Sequence, residues 1–234
     1  MRRSWRLLQA FRVEQTDPSV FYRALADDTI RLIERHGHVA GRRVLDVGAG
    51  PRQFAEAFTS RDATYVAVDA DPDALERCEH PKSYGVVASG TRLPLADSRF
   101  DIVLSSNVFE HVRIPERLAD ELVRVVRPGG LVFLSYTNWL SPWGGHETSP
   151  FHYLGGSRAI RRYERRYGHP PKNRVGTNLF RTSVAQGLRW ARARPDVELL
   201  EARPRYYPSR VSGLVRIPGV RELVTWNLWL ALRK

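Results

Sequence analysis

The sequence predicts an α/β fold in which a mostly parallel sheet carries helices on both faces. Short apolar runs alternate with amphipathic segments along the first 136 residues, an order that gives parallel strands joined by helices. The run Arg43–Val47 is apolar and closes on glycine, as expected of a strand buried on both sides. A length of 234 residues suits one sizeable domain, so we predict a single domain over residues 1–234.

The first half of the chain supplies most of these elements. Apolar positions at helical spacing predict a helix over Ser19–His38 that ends near Gly37. The expected strands are 43–47, 63–68, 83–88, 100–105 and 131–136. Between them we expect helices that begin at Pro51, at Pro72 with Asp71 as its N-cap, and at Pro115, because proline is tolerated at a first helical position.

The second half is less regular. Helices are expected over 155–168 and 183–194, and strands over 197–205 and 223–232. The segment Asn138–Gly156 is too rich in glycine for a helix and too polar for a strand. We interpret it as a functional loop over the carboxyl edge of the sheet, where substrate should arrive.

The first strand ends in VLDVGAGPRQF, at the edge where α/β sheets bind ligands. Gly48 and Gly50 allow positive φ and a close approach of the backbone, and a helix N-terminus follows them. Asp69 ends the next strand, where a carboxylate can accept hydrogen bonds from both hydroxyls of a ribose. These features predict a site for a nucleotide-like cofactor.

The same stretch narrows the choice of cofactor. The dinucleotide pattern G-x-G-x-x-G requires glycine at the position of Gln53, and the phosphate loop requires a lysine that is absent here. Asp46 would repel a pyrophosphate but would tolerate an amine or a sulfonium. Both phosphate-binding interpretations are therefore weakened.

Four ordered segments between Val44 and Tyr136 carry a family resemblance. They are VLDVGAGP, YVAVDADP, LPLADSRFDIVLSSNVFEHV and RPGGLVFLSY, and together they resemble class I S-adenosylmethionine-dependent methyltransferases of the type 11-like group. The GGHE and HYLGG stretches and the segments beyond them are similar to largely uncharacterised actinobacterial members. The resemblance implies a Rossmann-like fold with seven strands, the last one antiparallel, and S-adenosylmethionine as cofactor.

The resemblance also implies how the chain is divided. Residues 1–40 would form N-terminal helices, 41–136 the cofactor-binding core, 137–180 a substrate-side loop and helix, and 181–234 the last helix and strands. The implied cofactor-binding residues are Asp46, Gly48 and Gly50 at the methionine end, Asp69 at the ribose, Ala70, Ser89, Gly90 and Thr91 around the adenine, and Asn107 beside the methionine.

Two departures from the family pattern stand out. Relatives usually carry glycine at the position of Arg52, and we expect this arginine either to point outward or to reach an anionic substrate. Many relatives carry aspartate at the position of Ser89, so a hydroxyl or a backbone carbonyl would have to accept the adenine amino group.

Transfer of a methyl group to oxygen or nitrogen needs an aligned nucleophile and often a base. The candidates are His146, Glu147, His152 and His111, and His146 beside Glu147 is favoured because imidazole titrates near neutral pH. Catalysis by proximity alone stays open. Glu110-His111 is similar to ubiquinone-pathway O-methyltransferases in which an acidic and histidine set binds a divalent metal. Since Asn107 stands where a further glutamate would help, we expect no metal.

Composition restricts the partners and the compartment. The net charge is +12 and almost all of it is arginine, yet no nucleic-acid-binding motif is present, so nucleic acid is the least favoured anionic partner. A single cysteine excludes an internal disulfide framework, and no apolar run is long enough to span a bilayer. We predict a cytoplasmic protein, with contact at the inner membrane surface through residues 1–15 and 206–220 left open.

We therefore predict an S-adenosylmethionine-dependent methyltransferase that acts on oxygen of a small molecule, a glycoconjugate or a lipid-linked acceptor. Two alternatives remain at this point: a catalytically silent module that binds S-adenosylmethionine, and a nucleotide-dependent oxidoreductase.

Overall fold

A computed structural model describes residues 18–77 and 83–234, so the predicted N-terminal helix of residues 1–15 lies outside the described residues. The seven strands are β1 Arg43–Val47, β2 Thr64–Asp69, β3 Ser83–Val87, β4 Phe100–Ser106, β5 Val126–Thr137, β6 Glu198–Pro204 and β7 Asn227–Arg233. The helices are α1 Pro18–Ile33, α2 Ala55–Thr59, α3 Pro72–Glu76, α4 Pro115–Val125, α5 Gly156–Tyr167, α6 Val184–Ala193 and α7 Val220–Val224.

The strands form one sheet in the order β3-β2-β1-β4-β5-β7-β6. All neighbours pair in parallel except β7, which is antiparallel to both β5 and β6. The predicted seven-stranded Rossmann-like fold with an antiparallel last strand is confirmed. Because the chain passes from β1 outward to β3 and then returns to β4, the strand order reverses between β1 and β4. Ligands bind at such a point.

Helices cover both faces of the sheet because alternate strand residues point to opposite sides. Leu45 belongs to the core beneath α4 and α6, where Leu118 and Leu188 are buried. Its neighbour Val44 belongs to the opposite core, beneath α1 and α2, with Ile33 also buried there. The two cores fix the sheet from both sides and leave its carboxyl edge open to loops.

Three predicted boundaries were wrong, each for a tertiary reason. Residues 51–54 form turns, and α2 begins only at Ala55. Strand β5 begins at Val126 because that residue already pairs with Phe100. The predicted strand over 223–232 starts at Asn227, since Val220–Val224 forms α7.

Helix α7 has a partner that the sequence pattern did not reveal. The backbone N–H groups of Val184 and Ala185, in the first turn of α6, donate to the carboxylate of Glu222 at 2.7 and 2.9 Å. A carboxylate at a helix N-terminus stabilises the unpaired N–H groups and the helix dipole. The helix before β7 therefore presents Glu222 to the N-terminus of α6.

The α1 face of the sheet buries charged groups beneath the carboxyl edge. Arg205 is fully buried and donates to Ser135 Oγ at 2.7 Å and to Thr29 Oγ1 at 2.6 Å. Asp46 is also buried and accepts a hydrogen bond from the Tyr65 hydroxyl at 2.6 Å. Burial raises the pKa of Asp46 from its ordinary value of 3.8 to about 7, although the Tyr65 hydrogen bond acts in the opposite direction.

We expect Asp46→Asn to remove part of the pH dependence of stability. A carboxyl whose pKa is raised on folding holds a proton that the unfolded chain releases, so its contribution declines as pH rises from about 4 to about 7. Between pH 5 and pH 8 the wild type should lose about 3 kcal/mol relative to the variant. Urea unfolding of both proteins at the two pH values measures this, and a pH-independent difference would contradict it.

Candidate active site

A cavity of about 660 Å³ opens at the carboxyl ends of β1, β2 and β4. Seven of the predicted cofactor-binding residues line it: Gly48, Asp69, Ala70, Ser89, Gly90, Thr91 and Asn107. Asp46 and Gly50 are not in its wall. The Asp46 carboxylate lies below, against Tyr65, and the Gly50 N–H donates to Asp69 Oδ2 at 2.7 Å. These two residues support the cavity from behind, and direct contact of either with the cofactor stays a prediction.

The loops after β1 and β4 touch at Gly48. This residue has φ +79°, and a Cβ placed on it would lie 2.2 Å from a methyl carbon of Val108. Any side chain here would both strain the backbone and displace Val108 from the cavity wall. The missing side chain therefore leaves room for Val108 and exposes the Gly48 backbone in the cavity wall.

Asp69 is held in place by the loops on either side of it. Its Oδ2 accepts from Gly50 N–H, and its Oδ1 accepts from Asp71 N–H at 2.9 Å. Each carboxylate oxygen keeps a further lone pair for a ribose hydroxyl. At the adenine side predicted for the cofactor, Ser89 Oγ lies 2.9 Å from Thr91 Oγ1. The cavity walls thus fit a nucleoside.

Arg52 does not follow either expectation, and both were wrong. Its guanidinium donates to the Leu75 carbonyl at 2.6 and 3.2 Å and to the Ser83 carbonyl at 2.9 Å. The residue also has φ +53°, a conformation that glycine adopts more easily. Its hydrogen bonds join the cofactor loop to the end of α3 and the start of β3.

Asn107 reaches the cavity with positive φ, +59°. Its Oδ1 accepts from Asn227 Nδ2 at 2.7 Å, and its N–H donates to the Ser135 carbonyl at 2.8 Å. These two hydrogen bonds link Asn107 to the start of β7 and to the end of β5. The antiparallel strand β7 contributes to the cofactor edge through this contact.

Residues 138–155 fold into a compact loop held by its own polar groups. The buried His152 donates from Nε2 to the Trp139 carbonyl at 3.1 Å, and a Cβ on Gly145 would lie 2.4 Å from His152. Burial lowers the pKa of His152. Glu147 is exposed, and its carboxylate accepts from Asn173 Nδ2 at 3.0 and 3.1 Å. Neither His152 nor Glu147 lines the cavity.

His111 and His146 come together although 35 positions separate them: their ring centroids are 5.0 Å apart. His111 lines the cavity, and its Nδ1 donates to the Asn178 carbonyl at 2.7 Å. This hydrogen bond fixes the tautomer and leaves Nε2 as the basic nitrogen. Burial, with smaller effects from His111 and His152, lowers the pKa of His146 to about 4, so His146 is neutral at neutral pH.

Glu110 lies buried beside these histidines. Its Oε1 accepts from Thr137 N–H at 2.9 Å, and its backbone carbonyl accepts from Phe180 N–H at 2.8 Å. Burial raises the pKa of Glu110. This residue therefore connects the segment after β4 with the last residue of β5 and with the segment before α6.

Several cavity residues were missed by sequence reasoning. Arg113, Ile114 and Arg117 enter the wall from the start of α4, and Thr177 and Phe180 enter from the segment before α6. The guanidinium of Arg113 lies 5.9 Å from the centre of the Phe180 ring. No motif or periodic pattern in the sequence pointed to Thr177 and Phe180, because they lie about 70 residues beyond the end of β4.

Comparisons with known proteins agree with the geometry. A family described as a methyltransferase domain matches residues 45–134. An "uncharacterized methyltransferase" of Mycolicibacterium gilvum is 51% identical over 244 residues, covering 100% of this chain and 94% of that protein. One of Mycobacteroides abscessus is 49% identical, with the same coverage of 100% and 94%. A solved S-adenosylmethionine-dependent methyltransferase from Mesorhizobium loti shares the fold, with a TM-score of 0.61, 17% identity, and 87% of this chain and 96% of that chain covered.

We expect Asp69→Ala to weaken binding of S-adenosylmethionine 10-fold or more, about 1.4 kcal/mol, because a carboxylate in the cavity wall is lost. Asp71→Ala is the matched control. Asp71 caps α3 by accepting from Asp73 N–H at 3.1 Å and does not line the cavity. Calorimetric titration of both variants with S-adenosylmethionine measures the difference. Equal affinities in the two variants would place the ribose elsewhere.

Proposed function

The chain belongs to the S-adenosylmethionine-dependent methyltransferases, and from this premise we propose that it methylates an oxygen atom of a small molecule, a glycoconjugate or a lipid-linked acceptor. The observation that carries the proposal is the position of His111. His111 lines the same cavity as Gly48 and Asp69, and its Nδ1 donates to the Asn178 carbonyl, so Nε2 is the ring nitrogen not used in that bond.

S-adenosylmethionine supplies a methyl group on a positively charged sulfur. The residues that follow β1, β2 and β3 hold the nucleoside: Gly48 contacts it through its backbone, Asp69 accepts from the ribose, and Ser89 and Thr91 border the adenine. We assign this task to residues 41–136. The acceptor side combines His111, Arg113 and Arg117 of that same core with residues 137–180. The cavity of about 660 Å³ lies within the size range typical of ligand sites.

On the acceptor side, we assign activation of the acceptor hydroxyl to His111. His146, the favoured base from the sequence, has a pKa near 4 and would be a weak proton acceptor at neutral pH. Glu147 and His152 make their polar contacts outside the cavity. His111 lies in the cavity wall, and its hydrogen bond fixes the ring tautomer. A proton acceptor needs both of these features, and so does a metal ligand.

Charge in the wall supports an acceptor that carries an anionic group. The exposed guanidinium groups of Arg113 and Arg117 border the cavity. Within residues 18–77 and 83–234 no carboxylate pairs with either of them. Arginine binds carboxylate and phosphate groups through paired N–H donors. An acidic sugar or a phosphate-bearing lipid intermediate fits such a wall better than a neutral metabolite does.

We expect His111→Asn to lower turnover by about 100-fold or more, with the affinity for S-adenosylmethionine changed less than about 3-fold. Asparagine can still donate to the Asn178 carbonyl but lacks Nε2. The measurement is transfer of labelled methyl groups into fractionated mycobacterial extract.

Glu147→Gln is the control, since glutamine can still accept from Asn173, and it should retain near wild-type turnover. Full turnover by His111→Asn would remove the assignment of His111. Tight binding of S-adenosylmethionine with no labelled product from any fraction would instead favour a silent binding module.

We further propose that residues 206–224 touch an anionic membrane surface when the acceptor is lipid-linked. Ile217, Val220 and Leu223 are 47%, 42% and 60% exposed, and Arg216 lies next to this apolar group. Apolar side chains beside arginine favour an anionic bilayer surface. Among the described residues, no helix has the length and apolar character needed to cross a membrane.

Flotation with vesicles tests this contact. We expect the wild type to float with phosphatidylglycerol vesicles and to stay behind with phosphatidylcholine vesicles. Leu223→Glu should reduce flotation several-fold, whereas Tyr84→Glu, a change at an exposed residue of β3, should not. Wild type that remains in the soluble fraction with both vesicle types would contradict the contact.

A further inference from the structure

Three side chains with metal-binding atoms meet beside the cofactor cavity: Glu110, His111 and His146. One ligand atom from each lies within 4.8 Å of the other two. Glu110 and His111 come from the 3₁₀ turn after β4, and His146 comes from the loop after β5. Two separate loops therefore deliver one carboxylate and two imidazoles to one place.

Two members of this cluster each carry a buried polar atom without a partner. Glu110 is 1% exposed, and its Oε2 has no hydrogen-bond partner. The Nε2 atom of His146 is also buried and without a partner. A buried polar atom left unpaired costs about 1–3 kcal/mol, so two of them on neighbouring metal-binding side chains indicate a missing ligand.

The remaining atoms of the cluster are held as they are in metal sites. His111 Nδ1 donates to the Asn178 carbonyl at 2.7 Å, which leaves Nε2 unprotonated. Glu110 Oε1 accepts from Thr137 N–H at 2.9 Å, which fixes the carboxylate. Hydrogen bonds of this kind orient the ligands of a metal and select their tautomers.

We propose that Glu110, His111 and His146 bind one divalent transition-metal cation. Two imidazoles and one carboxylate suit zinc, manganese, iron or cobalt better than magnesium or calcium. Ligand atoms around a tetrahedral ion lie about 3.4 Å apart, so side-chain rotations that move each atom by about 1 Å would complete the set. The sequence led us to expect no metal because the third ligand was sought at Asn107, whereas the fold supplies it from the loop after β5.

The position of the cation gives it a role that rests on the proposed function: His111 would then activate the acceptor hydroxyl through the bound cation and would not take up the proton itself. His111 lies in the cavity wall, so open coordination positions would face an acceptor bound there. A cation at that point lowers the pKa of a hydroxyl it contacts. The O–H bond breaks and its proton passes to solvent; the new O–C bond then forms as the C–S bond breaks, and the sulfonium becomes a neutral thioether.

Cobalt binding tests the site without any acceptor. Tag-free protein, freed of metal by a chelator, is titrated with Co²⁺ while visible absorption is recorded. We expect one equivalent to bind per chain, and Glu110→Gln and His146→Ala to weaken binding about 10-fold or more. His169→Ala is the matched control and should bind like the wild type. It removes an exposed histidine whose partners among residues 18–77 and 83–234 are the Pro170 carbonyl and two tyrosine rings.

Affinity for S-adenosylmethionine, measured on the same samples, reports whether each variant is folded. If a variant is not folded, the imidazole ¹⁵N spectrum of the wild type tests the site instead. The ring nitrogen signals of two of the seven histidines should shift on addition of zinc. Wild type without saturable cobalt binding, cobalt binding that persists in both variants, or unshifted imidazoles would each overturn the site. Methyl transfer that continues in metal-free protein would overturn the role alone and leave the proposed methyltransferase activity intact.

Discussion

The contact between Gly48 and Val108 is the constraint on which the cofactor edge depends. It joins the loops after β1 and β4, the two adjacent strands between which the strand order reverses. With φ +79° and a methyl group in the place of its Cβ, Gly48 must remain glycine for these loops to close on each other. Gly48 and Val108 both line the cavity, together with Asp69 and Asn107.

Hydrogen bonds between polar groups behind the cavity connect the segments that form its walls. Glu110 accepts from Thr137 N–H on one side and, through its carbonyl, from Phe180 N–H on the other. Asn107 accepts from Asn227, which links the cofactor edge to the antiparallel strand β7. Buried polar groups are costly unless they are hydrogen-bonded, so the pairs that are made resist rearrangement. Several buried polar atoms remain unpaired, and those of Glu110 and His146 differ from the others because both belong to one cluster of metal-binding side chains.

Sequence and structure agree best where signals are local. Strands β1 and β2, the N-cap Asp71 and the glycine turn were predicted from contiguous residues, since a buried strand and a helix start depend on their immediate neighbours. The errors fall where distant contacts decide. Arg52 adopts positive φ because carbonyls of Leu75 and Ser83 bind its guanidinium, and residues 220–224 are helical where Glu222 caps α6.

The sequence by itself determined the fold class, the cofactor and most of the residues that line the cavity along β1, β2 and β3, because the residues predicted to bind the cofactor directly follow their strands. Tertiary structure alone decided which residues of the later loops meet beside this cavity. It placed His146 against His111, while Glu147 binds Asn173 instead. It also buried His152 inside a loop and brought the Phe180 N–H to the Glu110 carbonyl. These residues come from segments tens of positions apart, and no spacing rule relates them. Their meeting follows from how loops pack over a sheet edge, which depends on the whole chain.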